Sequence, residues 1–212
     1  MIYGHDDMYF CPKWDLVLKK ELDLIDHNNF YLSGTMIERN TGHIQFNAGH
    51  DYKSFDEQKL LSNLNELTHS DYQGTHWAPH LIHKELWNKI GGFSEEFDPG
   101  PGSDPDLNMK LWKNGVRIFK GLGEFKVYHF GSISSRKQNN FNYKKGSIKF
   151  LKKWKITTSF FVKHYLRGGR FSKGKIISKN YKGPVSNPNK NFSFFFDLLI
   201  CKIKLIILQF KM

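Results

Sequence analysis

Two adjacent carboxylates, Asp6 and Asp7, follow the apolar pair Ile2 and Tyr3 in the opening stretch MIYGHDDMYF. Paired acids at the end of a strand can hold a metal ion, because carboxylate oxygens are preferred ligands of hard divalent cations. Acid pairs are also common on exposed loops. Taken alone, the pair favours an exposed loop, and the rest of the chain must decide between the two interpretations.

Two further stretches carry polar residues in positions that suit chemistry. In SDPDL, Asp104 and Asp106 stand at the start of a predicted helix. Asp104 suits the N-cap and Pro105 the first helical position, which is a sufficient structural reason for both residues. In KVYHFGSISS, His129 ends a predicted strand, where a histidine can be structural or can bind a ligand.

The elements that must position these residues are predicted from apolar spacing and from Gly and Pro signals. The spacing favours an α/β protein. The predicted elements are a short helix in 11–26, a strand and loop in 31–43, a helix in 55–67, a strand and helix in 75–93 that end at Gly91-Gly92, a helix over 104–115, and two short strands in 116–131 separated by Gly121-Leu122-Gly123.

The composition fits one globular domain with a core, since 39% of the 212 residues are hydrophobic and 16% are aromatic. Cys11 and Cys201 lie far apart and form no CxxC pair, so neither a zinc site nor a disulfide framework is indicated. The first residues do not show the pattern of a secretory leader. A reducing cytoplasm is therefore the expected environment.

Charge divides the chain into two parts. Residues 1–135 hold 13 Lys and Arg against 19 Asp and Glu, a net charge of −6, whereas residues 136–212 hold 19 against one, a net charge of +18. The basic part is predicted to consist of a helical extension (136–169), a flexible linker (170–193) and an apolar-basic helix (194–212). Asp197, Lys202 and Lys204, within that last segment, argue against a transmembrane helix and favour an interfacial or packed one.

The three stretches, together with WNKIGGFSEEFDPGPG before SDPDL, resemble the second half of a family 2 glycosyltransferase of the GT-A type. The resemblance covers about residues 1–135. It implies a truncated GT-A domain, the Rossmann-like fold of nucleotide-diphospho-sugar transferases, with a basic and largely helical C-terminal extension. It also implies inverting transfer of a sugar from a nucleotide-sugar donor to a glycan or lipid-linked acceptor, as in the synthesis of cell-surface polysaccharides.

The resemblance assigns a metal site to the opening acids. Asp7 matches the metal-binding acid of the family, Asp6 matches the acid near the ribose, and His5 replaces the first acid of the motif. His129 matches a histidine that completes the metal or diphosphate site. The implied cofactor is a divalent cation, Mn²⁺ or Mg²⁺, which would neutralise the departing diphosphate.

The resemblance also assigns a catalytic base and a substrate pocket. The base that deprotonates the acceptor hydroxyl falls on Asp104, with Asp106 as the alternative. A position at a helix N-terminus would lower the pKa of that acid, so we expect a positioned carboxylate and not a strong base. Trp77 is expected to stack on a sugar, and Ser33 and Gly34 are expected to approach the donor.

The family builds most of its nucleotide pocket before the acidic motif, and five residues precede Asp6 in this chain. We therefore expect little or no transferase activity from the chain alone. Two alternatives are a non-catalytic binding or assembly module and one half of a split enzyme, whose partner would be a separate N-terminal half-domain. A third is a nucleic-acid-binding protein that uses the basic tail. The same tail suits an anionic membrane surface, which would place the protein at the inner face of the membrane.

Overall fold

The computed structural model describes residues 1–98, 100–131, 143–172 and 175–210. Within these ranges the chain is a mixed α/β protein, which confirms the predicted α/β class at that level. The predicted boundary between residues 135 and 136, the SISS end of the third stretch, and the last two residues of the predicted C-terminal helix lie outside the described residues.

Seven of the described strands form one mixed sheet. The strands of the described residues are β1 (Ile2–Tyr3), β2 (Met8–Phe10), β3 (Phe30–Glu38), β4 (Ile44–Gln45), β5 (Tyr72–Gln73), β6 (His80–Ile82), β7 (Ile118–His129), β8 (Arg170–Ser172) and β9 (Lys175–Ile177). The sheet order is β1-β6-β3-β7-β2, with β4 beside β3 and β5 beside β7. β3 and β7 are parallel, and the other neighbours along this order are antiparallel.

β3 is the central strand of the sheet, and every one of its nine residues is buried. Its sequence FYLSGTMIE is rich in aromatic and β-branched residues, which pack well on a pleated surface. Gly34 lies where the neighbouring chain comes closest, because a Cβ atom there would be 2.8 Å from the Phe125 carbonyl oxygen and 2.9 Å from Pro79 Cγ. The strand therefore requires glycine at this position.

The prediction of two short strands in 116–131 is wrong. β7 is one strand, and it pairs with β3 along most of its length. The glycines that suggested a break mark an irregularity in the pairing, where the partner of Gly34 is Leu122 and the partner of Thr35 is Lys126. A local bulge accommodates the extra residues without ending the strand.

The helices cover both faces of this sheet and extend to the C-terminal part of the chain. They are α1 (Trp14–Leu22), α2 (Glu57–Asn63), α3 (Lys84–Ile90), α4 (Ser103–Lys113), α5 (Tyr143–Trp154), α6 (Thr158–Phe161) and α7 (Phe192–Gln209), with a 3₁₀ turn (Glu95–Phe97) and a π turn (Val162–Leu166). No helix of the described ranges combines the length and the apolar character that crossing a membrane requires.

The start of α4 differs from the prediction. Gly102, with φ of 90°, is the N-cap, so Asp104 lies inside the first turn and not at the cap. Pro105 follows at the third helical position, where its missing N–H costs no helical hydrogen bond. At the other end, Gly115 has φ of 88° directly after the cap residue Asn114, which confirms the predicted helix stop.

Apolar side chains fill both sides of the sheet. Tyr31 faces a core made with the helices after β6, whereas its neighbour Leu32 faces a core made with α1, since successive strand residues point to opposite faces. The first core also contains residues of the C-terminal helices. Its members include Leu107, Leu111, Phe119, Phe150, Phe161, Phe194 and Cys201.

The segment predicted to be a flexible linker is instead packed on the domain. β8 and β9 pair within it, and the backbone N–H of Gln73 donates a hydrogen bond of 2.8 Å to the Lys179 carbonyl oxygen. Val185 is buried, and its amide donates to the Arg117 carbonyl oxygen. Turn residues set the local conformation of this segment, but backbone hydrogen bonds to distant strands, which composition does not report, hold it in place.

Candidate functional site

Three of the polar residues near the chain start and at the end of β7 come together in space. His5, Asp7 and His129 each offer a ligand atom, and these atoms lie within 4.8 Å of one another. We call these three residues the His/Asp cluster. The pairing of β2 with β7 explains the approach, because Met8 is opposite His129 and the Phe130 amide donates to the Asp7 carbonyl oxygen at 3.0 Å.

A fourth residue, Glu38, orients His129. Glu38 ends β3, whose parallel register with β7 places Ile37 beside Tyr128. The His129 Nδ1 atom lies 2.5 Å from Glu38 Oε1, and the Thr41 hydroxyl donates to the other oxygen of Glu38. A carboxylate on one ring nitrogen directs the other nitrogen toward a metal site.

The second ring nitrogen of His129 is the part of the ring that a metal ion would use. It lies 3.3 Å from Asp7 Oδ1, and it is buried without an aligned hydrogen bond in the described part of the chain. Burial lowers the pKa of His129, but the carboxylates of Asp7 and Glu38 outweigh burial and raise that pKa to about 9. A cation that bound here would replace the proton that the two carboxylates otherwise stabilise.

His5 completes the cluster from the loop between β1 and β2. Burial and the nearby His129 lower the pKa of His5, which favours the neutral ring that a metal ion requires. Asp6 is exposed on the same loop. The structure therefore separates the two adjacent acids, with Asp7 in the cluster and Asp6 facing solvent.

Tyr3 connects the His/Asp cluster to Asp104. Its ring contacts the ring of His5 edge-on at 5.7 Å between centroids and stacks on His80 at 5.1 Å. Burial, and then the negative charges of Asp104 and Asp6, raise the pKa of Tyr3. The charge of Asp104 in the first turn of α4 and the charge of Asp6 in the loop of the cluster therefore both act on Tyr3.

Asp104 has a pKa well above the ordinary value of an aspartate. Burial of its carboxyl group raises its pKa to about 7, which is opposite to the decrease expected from the helix dipole. The expectation was wrong because loss of water around a carboxylate outweighs the partial charge of a helix end. A carboxyl group with a pKa near neutrality suits proton transfer at neutral pH.

Asp106 differs from Asp104 although the two are separated by one residue. Asp106 is fully buried, and its oxygens accept hydrogen bonds from the Ser94 hydroxyl at 2.6 Å and the Trp154 indole N–H at 2.7 Å. Lys153 Nζ lies 2.9 Å from the same carboxylate. These contacts join α4 to α5, and they occupy the carboxylate of Asp106 with protein partners.

The remaining predicted residues do not join the His/Asp cluster. Ser33 is buried and lies 3.2 Å from the Tyr72 hydroxyl, and Gly34 is enclosed by neighbouring strands, so their contacts are with protein. Trp77 lines a separate cleft of about 730 Å³ between the sheet and the C-terminal part, together with residues such as Lys163 and Arg170. Its role in sugar stacking stays a prediction.

A second cleft opens directly beside His129. Its volume is about 590 Å³. Both cationic and anionic side chains line it, which suits a polar ligand held at the His/Asp cluster. The lining residues are Glu38, Arg39, Asn40, Thr41, Gly49, His50, Asp51, His129, Phe130 and Gly131.

Sequence reasoning missed Glu38 and undervalued His5. A signal for Glu38 was present, because it is the acid that ends an otherwise uncharged buried strand. No protein-family model matches the chain, and no curated protein matches it. Any statement about function therefore depends on the geometry of the site.

Proposed function

We propose that this chain carries the metal-binding and base-bearing part of an inverting glycosyltransferase of the GT-A type. The observation that supports the proposal is that the His/Asp cluster contacts Tyr3 through His5 and that the charge of Asp104 also acts on Tyr3. A cation site next to a carboxyl group with a pKa near 7 supplies the two groups that inverting sugar transfer needs.

The residues present fit a divalent cation. His5 and His129 would each provide a ring nitrogen, Asp7 a carboxylate oxygen, and Glu38 would hold the tautomer of His129. Two nitrogen ligands suit Mn²⁺ better than Mg²⁺, which prefers an octahedron of oxygen atoms. When bound, the cation would neutralise the diphosphate of a nucleotide-sugar donor.

Asp104 would act on the acceptor, a glycan or a lipid-linked sugar. Its carboxylate would take the proton from the acceptor hydroxyl as that oxygen bonds to the anomeric carbon of the donor. The bond from that carbon to the diphosphate oxygen breaks in the same displacement, and the nucleoside diphosphate leaves with the electron pair. Attack opposite to the leaving group inverts the anomeric configuration.

Calorimetry tests the proposal without requiring turnover. Mn²⁺ and UDP or GDP are titrated into the chain separately and together. We expect the nucleoside diphosphate to bind more tightly when Mn²⁺ is present, and Asp7→Ala to abolish that gain. The matched control is Asp15→Ala, which removes an exposed acid on α1. Absence of any Mn²⁺-dependent binding by the wild-type chain would refute the proposal.

A second candidate is a non-catalytic assembly module. β1 lies at one edge of the sheet, and Met1 and Ile2 are exposed apolar residues at that edge. Exposed edges can pair with a strand from another chain. A non-catalytic module of this kind would bind a partner through β1 whether or not Mn²⁺ is present, and it would show no Mn²⁺-dependent gain in the binding of UDP or GDP.

A further inference from the structure

α7 carries an exposed apolar stripe along its whole length. The side chains of this stripe recur every three or four residues, so they lie on one side of the helix. Their exposed fractions range from 47% to 86%. They are Phe192, Phe195, Phe196, Leu199, Ile203, Ile206, Ile207 and Phe210.

The opposite side of α7 is fixed to the domain. Phe194 and Cys201 are buried in the first core, and Leu198, Leu205 and Leu208 pack against it. Asn191 caps the helix by accepting a hydrogen bond from the Phe194 amide at 3.0 Å. The helix is therefore docked on the domain through one side, and the apolar stripe on its other side faces solvent.

Charge around the apolar stripe is positive. Lys202 and Lys204 are exposed on α7, and helical geometry places them on opposite flanks of the stripe. Asp197 is the one acid between residues 136 and 212. Its Oδ2 atom lies 2.7 Å from both Lys163 Nζ and His164 Nε2, so its charge is balanced by the protein.

We propose that the apolar stripe of α7 is a docking surface for an anionic membrane. The helix would lie flat, with the stripe among the acyl chains and the flanking lysines at the level of the phosphates. At about 1.5 Å per residue the helix covers about 27 Å of surface. The net charge of +18 on residues 136–212 adds attraction to anionic headgroups.

A second copy of the chain is the competing occupant of this surface. Two copies that joined through the stripe would place Lys202 and Lys204 of each copy close to those of the other. Like charges at a contact oppose association, whereas anionic headgroups neutralise the same lysines. Charge therefore favours the membrane as the occupant.

Membrane docking does not depend on sugar transfer, since it involves neither the His/Asp cluster nor Asp104. Failure of one proposal leaves the other intact. Vesicle binding can be measured without donor, acceptor or metal ion.

The experiment is flotation of the chain with vesicles of phosphatidylcholine alone and of phosphatidylcholine mixed with phosphatidylglycerol. We expect flotation with the mixed vesicles and little with the neutral ones. The double variant Ile203→Glu/Ile206→Glu should bind the mixed vesicles at least about tenfold more weakly, because it places charge where apolar area would be buried. The double variant Asn189→Glu/Gln209→Glu adds the same charge at exposed positions outside the stripe and should retain most of the binding.

A second measurement uses a single labelled cysteine, so it does not depend on the double substitutions to glutamate, which could disturb folding. Cys11 and Cys201 are buried, so an environment-sensitive dye would react mainly with the new thiol of Phe196→Cys. Its emission should shift to the blue on mixed vesicles, and the same dye on Gln209→Cys should shift less. Equal shifts at the two positions would overturn the proposal.

Two other outcomes would also overturn it. Binding to mixed vesicles that the stripe variant does not weaken would show that the lysines attract any polyanion, including nucleic acid, without the stripe. A wild-type dimer that the stripe variant converts to a monomer, with no flotation of either, would assign the surface to a second copy of the chain.

Discussion

The site end of the sheet and the C-terminal helix α7 both concentrate charged side chains, but they use charge in opposite ways. Around the His/Asp cluster, Asp7, Glu38 and His129 are largely enclosed, and each of the two carboxylates lies within 3.3 Å of a ring nitrogen of His129. On α7, Lys202 and Lys204 are exposed to solvent. The first arrangement changes protonation states, and the second creates an attractive surface.

The physical difference is the surrounding medium. Charges removed from water interact strongly, and dissolved salt screens them little, whereas exposed charges are weakened by both water and salt. Single substitutions should therefore have large effects at the site end and small effects on α7, where many residues contribute together.

The largest effect is expected from Asp104→Asn on sugar transfer. The amide keeps the shape of the side chain but cannot accept the acceptor proton. Because little activity is expected from the chain alone, turnover is measured with the chain combined with an N-terminal half-domain, a panel of nucleotide sugars and their acceptors, and Mn²⁺; we expect it to fall by about 10²-fold or more. Mn²⁺-dependent binding of UDP or GDP should persist, because Asp104 is not in the His/Asp cluster. Unchanged turnover in a folded Asp104→Asn variant would remove the base from the mechanism.

Asp106→Ala should reduce the stability of the folded chain. It leaves the Ser94 hydroxyl, the Trp154 indole and Lys153 without the carboxylate that they contact. Lys153 retains Glu96, at 2.6 Å, so we expect a loss of about 2–3 kcal/mol in the free energy of unfolding. Urea denaturation measures it. A loss below that of Asp15→Ala, an exposed acid, would contradict the anchoring role.

Glu38→Gln should weaken Mn²⁺ binding without removing a ligand. The glutamine cannot hold the ring of His129 as a carboxylate does, so we expect about 10- to 100-fold lower affinity for Mn²⁺. Calorimetry measures the change, and Glu124→Gln is a matched control, since Glu124 is exposed on the same sheet. Equal affinity in the two variants would mean that Glu38 plays no part in the site.

Asp104 should also make stability depend on pH. Its pKa is about 7 in the folded chain and 3.8 as the ordinary value, so the folded state holds the proton more tightly between these values. The contribution of Asp104 to the free energy of unfolding is therefore most favourable at low pH, and it is lost as the pH rises from about 4 to about 7. Asp104→Asn should be more stable than the wild type at pH 8 by about 1–2 kcal/mol, after allowance for partial exposure, and not at pH 4. Denaturant unfolding at the two pH values measures it, and a constant difference would contradict the raised pKa.

The smallest expected effect is a difference in how strongly salt affects the two regions. Between about 0.1 M and about 1 M salt the Debye length falls from about 10 Å to about 3 Å. Binding to mixed vesicles should weaken several-fold over this range, whereas the pKa of Asp104, followed by carbon NMR of its carboxyl group, should move little. Equal sensitivity of both to salt would remove the contrast between the regions.

Local sequence signals predicted much of the secondary structure. The stop at Gly91 after α3 and the stop at Gly115 after α4 follow from the freedom of glycine to adopt positive φ, which acts within a few residues. The strand predicted in 31–43 is observed as Phe30–Glu38, and it continues through Gly34, which had suggested a break. The two-part distribution of charge is a property of composition and required no structure.

Other features were outside the reach of local signals. The bulge that keeps β7 continuous depends on Gly34, far away in the chain, and the packing of the predicted linker depends on β5. The pKa of Asp104 rises because distant elements remove water from it, and the sequence near Asp104 suggested the opposite direction.

The sequence by itself offered Asp7 and His129 as candidates for one metal site, because the stretches that contain them resemble those of a glycosyltransferase family. Only the tertiary structure showed that His5 lies with them in the His/Asp cluster and that Glu38 contacts His129. The antiparallel register of β2 with β7 and the parallel register of β3 with β7 bring these residues together. Strand register between distant segments depends on how the whole core packs, and no short stretch of sequence contains that information.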